Sequence, residues 1–216
     1  IHNPTNTNLL EQKKRCKYEE LFLFMLKINY LKSENNKDNK GYSKKIDNNN
    51  INSIIKKLPF ELTEDQNKAL DDIFNDINSN YKMNRLLQGE VGSGKTIVSA
   101  ISLYAVTTAG YQRAIMVPTE VLASQHFITF SEYFKNTNIK VALLTSSVSA
   151  KDKKVILEGL DNGDIDIVIG THSLIQKDVN FKKLGLVVTD EEHRFGVKQR
   201  VSMVGKGYLI DHLKMS

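Results

Sequence analysis

Cysteine is almost missing from this sequence, and so is any long hydrophobic run. Cys16 stands alone, which excludes an internal disulfide and a multi-cysteine zinc cluster and points to a reducing compartment. The apolar stretch Leu-Phe-Leu-Phe-Met-Leu at 21–26 is far short of the roughly 20 residues that a membrane-spanning helix needs. No signal-peptide pattern opens the chain, so a cytoplasmic location without a membrane partner is expected. What is present suffices for a globular fold: 40% of the 216 residues are hydrophobic, enough for one sizeable core with an appendage, or for two small ones. A net charge of +5 favours a polyanionic partner such as nucleic acid. Much of that excess lies in one lysine-rich stretch, which also reads as a solvated face.

Two regions differ in texture. From Glu11 to about Lys32, Tyr18, Leu21, Phe22, Met25 and Leu26 recur at roughly helical spacing, which predicts one amphipathic helix with its apolar face in a core. Residues 32–53 are rich in Lys, Asn, Asp and Ser without periodicity and read as a mobile loop or linker. Its lysines are candidate DNA contacts. After Pro59, short apolar runs alternate with longer helical ones. Strands are expected at 84–88, 113–117, 140–145, 164–170 and 184–190, and their nearly continuous apolar character predicts that both faces are covered. Helices are expected between them, within 94–110, 119–136 and 149–163. Such alternation implies a doubly wound α/β fold with a parallel sheet flanked by helices, and ligands at the carboxyl ends of its strands.

One of those ends carries Gly89-Glu90-Val91-Gly92-Ser93-Gly94-Lys95-Thr96, which matches the phosphate-binding loop pattern G-x-x-x-x-G-K-[ST] between a predicted strand and a predicted helix. Its glycines let the backbone approach phosphate oxygens, and the amides at the helix start form an anion nest. Lys95 reaches the outer phosphates, and the Thr96 hydroxyl completes a magnesium shell. A second strand end supplies carboxylates: Leu-Gly-Leu-Val-Val-Thr is followed by Asp190, Glu191, Glu192 and His193. Asp190 is assigned to the metal, and Glu191 to orienting or deprotonating the attacking water. ATP with Mg2+ is the expected cofactor pair, and nucleoside triphosphate hydrolysis the expected chemistry. No second His or Cys stands near His193 at metal-ligand spacing, so a role in coupling nucleotide and DNA sites is expected for it.

An acidic Asp-Glu-x-His after an apolar strand resembles superfamily two helicases, and the wording of nearly the whole chain is similar to the RecG family of branch-migration helicases. The segments that carry the likeness are 58–66, 83–96, 116–126, 166–181 and 184–200. The motor of the transcription-repair coupling factor shares the Asp-Glu-Glu-His-Arg-Phe-Gly-Val wording, but usually has an aromatic residue where Ser93 stands and a second Thr in place of Glu120. Two positions depart from the RecG pattern, Glu192 for Gln and Ser146 for Gly. The resemblance implies a RecA-like P-loop NTPase domain preceded by an N-terminal helix and flexible linker, with residues 1–58 as linker and 59–216 as the first motor domain. It implies adenine recognition by Gln66 with Phe60 nearby, although Thr63 as a helix cap and a core Phe60 account for part of that pattern. DNA backbone contacts are implied at Pro118, Thr119, Thr171 and His172. A monomeric, nucleoid-associated motor is expected, acting on stalled forks and recombination junctions together with a second RecA-like domain that supplies a catalytic arginine. The chain is therefore expected to be an internal piece that alone turns over ATP slowly. A nucleotide-binding or DNA-binding module without catalysis stays open as a reading of the residues.

Overall fold

The structure, a computed structural model, describes residues 6–38, 40–191 and 210–216. The chain divides into two units, residues 1–40 and 41–216. The first contains one helix, α1 (Asn6–Asp38). The helix is there, but the expected single apolar face is not. With about 3.6 residues per turn, the consecutive apolar residues 21–26 circle the helix, and Leu21 through Leu26 are 49% to 63% exposed. Tyr18 and Phe22 stack on each other at 6.2 Å.

The expected linker at 32–53 is corrected as well. Its first part continues α1 to Asp38, and its last part enters α2 (Asn48–Ile55). Asp47 caps α2 by accepting from the amides of Asn49 and Asn50, which satisfies donors that the helix itself leaves open. Ile51 is 2% exposed and joins the main core. Lys44 forms a buried ion pair with Asp211 at 2.6 Å. These anchors place residues 41–58 with the second unit, whereas the sequence reading had joined them to the helix before.

The remaining elements are α3 (Glu64–Ile77), β1 (Asn84–Leu87), α4 (Lys95–Thr108), β2 (Gln112–Met116), α5 (Glu120–Phe134), β3 (Val141–Leu144), α6 (Ala150–Asn162), β4 (Ile167–Gly170), a short 3-10 turn at His172–Ile175, β5 (Leu184–Asp190) and β6 (Asp211–Met215). The strands form one sheet in the order β1-β6-β5-β2-β4-β3, with every pairing parallel. Alternate residues of the strands serve opposite faces. Ile115, Ile169, Leu186 and Val188 join the core that contains α2 to α5. Ala114, Met116, Val168 and Val187 join the core beneath α6. This is the expected RecA-like arrangement of a parallel sheet flanked by helices.

Two strands differ from expectation. β1 is an edge strand paired with β6, so it alternates between exposed and half-buried positions, with Leu86 54% exposed. β6 is additional to the five strands expected. Inside the sheet, Arg113 is 1% exposed and donates to the Tyr111 carbonyl. Burial pushes its guanidinium down to about 10, against the pull of Asp166.

Candidate nucleotide and DNA site

Strand order sets the site. β6 lies between β1 and β5, and its Met215 pairs with Leu87 on one side and with Asp190 on the other. Two interstrand steps of about 4.8 Å each put the ends of β1 and β5 level with one another. The Gly89 amide donates to the Ser216 carbonyl, and the Ser216 amide donates to that of Leu87, each at 3.2 Å. The phosphate loop therefore leaves the sheet fastened to β6, on the edge where β5 delivers Asp190.

The loop residues Gly89, Glu90, Val91, Gly92 and Ser93 are all exposed, and Gly94, Lys95 and Thr96 are half-buried. Gly92 and Gly94 take φ of +83° and +82°, a left-handed conformation that costs other residues about 1–2 kcal/mol. Gly94 is also the N-cap of α4 and offers no side-chain cap, so no capping side chain occupies the amides at the helix start. Those amides and the helix dipole together favour an anion. The Lys95 ammonium donates to the Gly89 and Glu90 carbonyls at 2.6 and 2.8 Å, which holds it over the loop.

Gln66 reaches the same loop from α3. Its Oε1 accepts from the Thr63 amide at 3.0 Å while the Thr63 hydroxyl accepts from the Gln66 amide, a reciprocal capping box. Its Nε2 donates to the Ser93 carbonyl at 2.9 Å. A side chain at Gly94 would collide with that amide nitrogen. Phe60 is 47% exposed, so it is no core residue.

At the end of β5 both oxygens of Asp190 are held. Oδ1 accepts from the Glu191 amide at 3.0 Å, and Oδ2 lies 2.9 Å from His126 Nε2. Glu191 has a φ of +51°, an uncommon value for a residue with a side chain, and the turn aims its amide back at Asp190. Glu192, His193, Arg194 and Phe195 lie outside the described residues.

The expected DNA contacts sit on neighbouring strand ends. β2 and β4 pair Met116 with Gly170, and the Val117 amide donates to the Gly170 carbonyl at 3.0 Å. Pro118 and Thr119 follow β2; Thr171 and His172 follow β4. Thr119 and His172 are exposed and Pro118 is half-buried, whereas Thr171 is only 7% exposed. Thr119 caps α5 by accepting from the Leu122 amide. Glu120, next in line, accepts from the amide and the hydroxyl of Ser146 after β3. The Ser146 and Ser147 hydroxyls hold its carboxyl below the usual range.

Two residues escaped the sequence reading. His126 closes the segment 116–126 but draws no role from sequence, although it falls on the buried stripe Ala123, His126, Phe130, Phe134; a histidine at helical spacing with aromatic residues is the available signal. His212 on β6 bonds the Thr189 hydroxyl at 2.6 Å, and nothing in the sequence announced β6 itself.

These residues fit a magnesium nucleoside triphosphate. The loop supplies amides and an ammonium for anionic oxygens, and Thr96 and Asp190 supply oxygens of the kind that magnesium takes alongside phosphate and water. Among the described residues no group of three or more His, Cys, Asp or Glu side chains is placed to hold a metal by itself. No described helix is long and apolar enough to cross a membrane.

Comparison with known proteins shows the family and the fold. The DEAD/DEAH box helicase family matches residues 63–208. ATP-dependent DNA helicase RecG of Bacillus subtilis is 48% identical over the whole chain, which covers 32% of that protein. RecG of Thermotoga maritima is also 48% identical, with 28% of its length covered. The chain thus spans about a third of the curated relatives it matches. A RecG structure solved bound to a three-way DNA junction superimposes with a TM-score of 0.84 at 45% identity, covering 98% of this chain and 28% of the other. The UvsW helicase of bacteriophage T4 shares the fold, with a TM-score of 0.59 at 18% identity.

Proposed function

We propose, for a chain that belongs to the DEAD/DEAH box helicase family, that it is the first motor domain of an ATP-driven DNA translocase that remodels forks and junctions. The observation that carries this reading is the shared pairing of Leu87 and Asp190 with Met215, which joins a phosphate loop and a carboxylate strand end in one site. Each residue has a part that its position supports. The loop amides and Lys95 bind the phosphates, and Gln66 and Phe60 take the adenine. Thr96 and Asp190 hold the magnesium ion, whose contribution when bound is to neutralise charge on the phosphates. Glu191 orients the attacking water and takes its proton. Pro118, Thr119, Thr171 and His172 position the DNA backbone without reading its sequence.

The partners are DNA, in branched form as for the RecG solved on a three-way junction, and a second RecA-like domain that supplies an arginine to the transferred phosphoryl group. A monomer suffices for this arrangement. The test is DNA-stimulated ATP hydrolysis by the intact protein. Lys95→Ala is expected to lower turnover by about a hundredfold or more, the scale on which removing one positioned electrostatic partner acts. Turnover that survives the substitution would mean that the phosphates lie elsewhere.

A further inference from the structure

We infer that His126 is a positioning residue for the metal-holding carboxylate, and that helix α5 thereby ties the DNA-side loops to the nucleotide site. This rests on the function proposed above. His126 Nε2 lies 2.9 Å from Asp190 Oδ2. An ionised carboxylate only accepts, so Nε2 is the donor. The histidine is 9% exposed, with its ring centroid 5.8 Å from that of Phe130. It is therefore fixed by packing, and its hydrogen bond uses one lone pair of Oδ2. The Glu191 amide uses one of Oδ1. Each oxygen keeps a second lone pair for an ion or its water, and the carboxylate plane is set from both sides.

The helix that carries His126 begins in the DNA-side loops. Thr119 is its N-cap, and Glu120 in its first turn takes the amide and hydroxyl of Ser146 beyond β3. His126 follows Thr119 by seven residues, about two turns or roughly 10 Å along the axis. A displacement of the α5 N-terminus by a bound strand therefore arrives at Asp190 through a rigid helix and one hydrogen bond. Partners that orient a metal-holding carboxylate from outside the ligand set are known to tune metal affinity in this way.

The test uses the intact protein with three substitutions. His126→Phe keeps a ring against Phe130 and removes the donor. His126→Gln replaces the donor at nearly the same reach, and His126→Asn keeps a donor too short to arrive. Binding of a fluorescent ATP analogue is measured at equilibrium against Mg2+ concentration, and the resonance of Mn2+ bound with nucleotide is recorded as a spectroscopic readout. The half-saturating Mg2+ concentration is expected to rise about tenfold or more in the Phe and Asn variants. His126→Gln is expected to return to within a few fold of wild type, and the Mn2+ spectrum to change in the Phe and Asn variants while staying near wild type in the Gln variant. If the Phe variant does not fold, the Asn and Gln pair makes the same comparison. Metal dependence unchanged in Phe and Asn, or equally impaired in Gln, overturns the inference. Lys95→Ala is measured beside them: analogue binding that survives Lys95→Ala rejects the site itself, whereas binding lost there with His126 variants unaffected rejects His126 alone.

Discussion

Gly94 meets two demands at once, a φ of +82° and the absence of any atom where Gln66 Nε2 sits. Alanine satisfies neither. Gly94→Ala is expected to cost about 1–2 kcal/mol for the left-handed conformation, read as a lower denaturation midpoint. It should also weaken nucleotide binding by pushing the Gln66 amide off the Ser93 carbonyl. A variant with the wild-type midpoint and affinity would show that the loop does not need this conformation. Residues of this kind were legible because backbone geometry admits so few alternatives: the spacing of Gly89, Gly94, Lys95 and Thr96 says by itself what the turn must do. His126 was not, since a histidine on an aromatic stripe reads as core until its partner is seen. The partner, Asp190, lies 64 residues away, and no local pattern connects them.

Among the elements, α3 shows how a capping residue and a recognition residue can be confused. Gln66 serves the cap through Oε1 and the phosphate loop through Nε2, whereas the Thr63 side chain serves the cap. Thr63→Ala is expected to cost about 1 kcal/mol in thermal or denaturant unfolding and to leave the preference for ATP over GTP unchanged. Gln66→Ala should lose the reciprocal half of the capping box and the preference together, while the Thr63 hydroxyl still accepts from the backbone amide of residue 66. Competition binding with both nucleotides separates the two; a Thr63→Ala protein that loses discrimination would assign the effect to helix position. The failures of sequence reading also belong to this scale. β6 mixes Asp211, His212 and Lys214 with Leu213 and Met215, and its period is unlike that of a buried strand. It forms because β1 and β5 pair with it on both sides, a tertiary cause. The continuation of α1 through residues 32–38 likewise has no apolar period to announce it. β5, by contrast, was read with its observed bounds, because Leu184 to Val188 make the nearly continuous apolar run of a strand covered on both faces.

At the scale of the whole molecule, the buried pair Lys44 and Asp211 joins the segment after α1 to the last strand, 167 residues on. Both side chains are 2% exposed. Asp211 also accepts from the Met83 amide at 2.8 Å, and the Lys44 ammonium lies 5.5 Å from the centre of the Tyr111 ring. The pair thus anchors the start of β6, on which the phosphate loop depends, since β6 ends at Met215 and the following Ser216 bonds Gly89 and Leu87. Burial pushes the Asp211 carboxyl above its usual range, against the pull of Lys44 and the Met83 amide. The folded protein therefore holds this proton more readily than the unfolded chain. That contribution to stability is present below the ordinary value of 3.8 and is lost as pH rises through the raised one. At neutral pH the cost of breaking the pair lies chiefly in the charge left behind. Asp211→Asn keeps an acceptor for Met83 but strands a buried ammonium, so a loss of about 3–5 kcal/mol is expected in denaturant unfolding. Adding Lys44→Met removes that charge and should recover most of the loss, because an apolar side chain of similar length fills the same space without a desolvation penalty. The Asp211→Asn protein should also lose the acid-range slope assigned to this carboxyl. If the double variant instead loses the sum of the two single losses, the residues are not energetically coupled, and β6 is held by the packing around it and not by this pair.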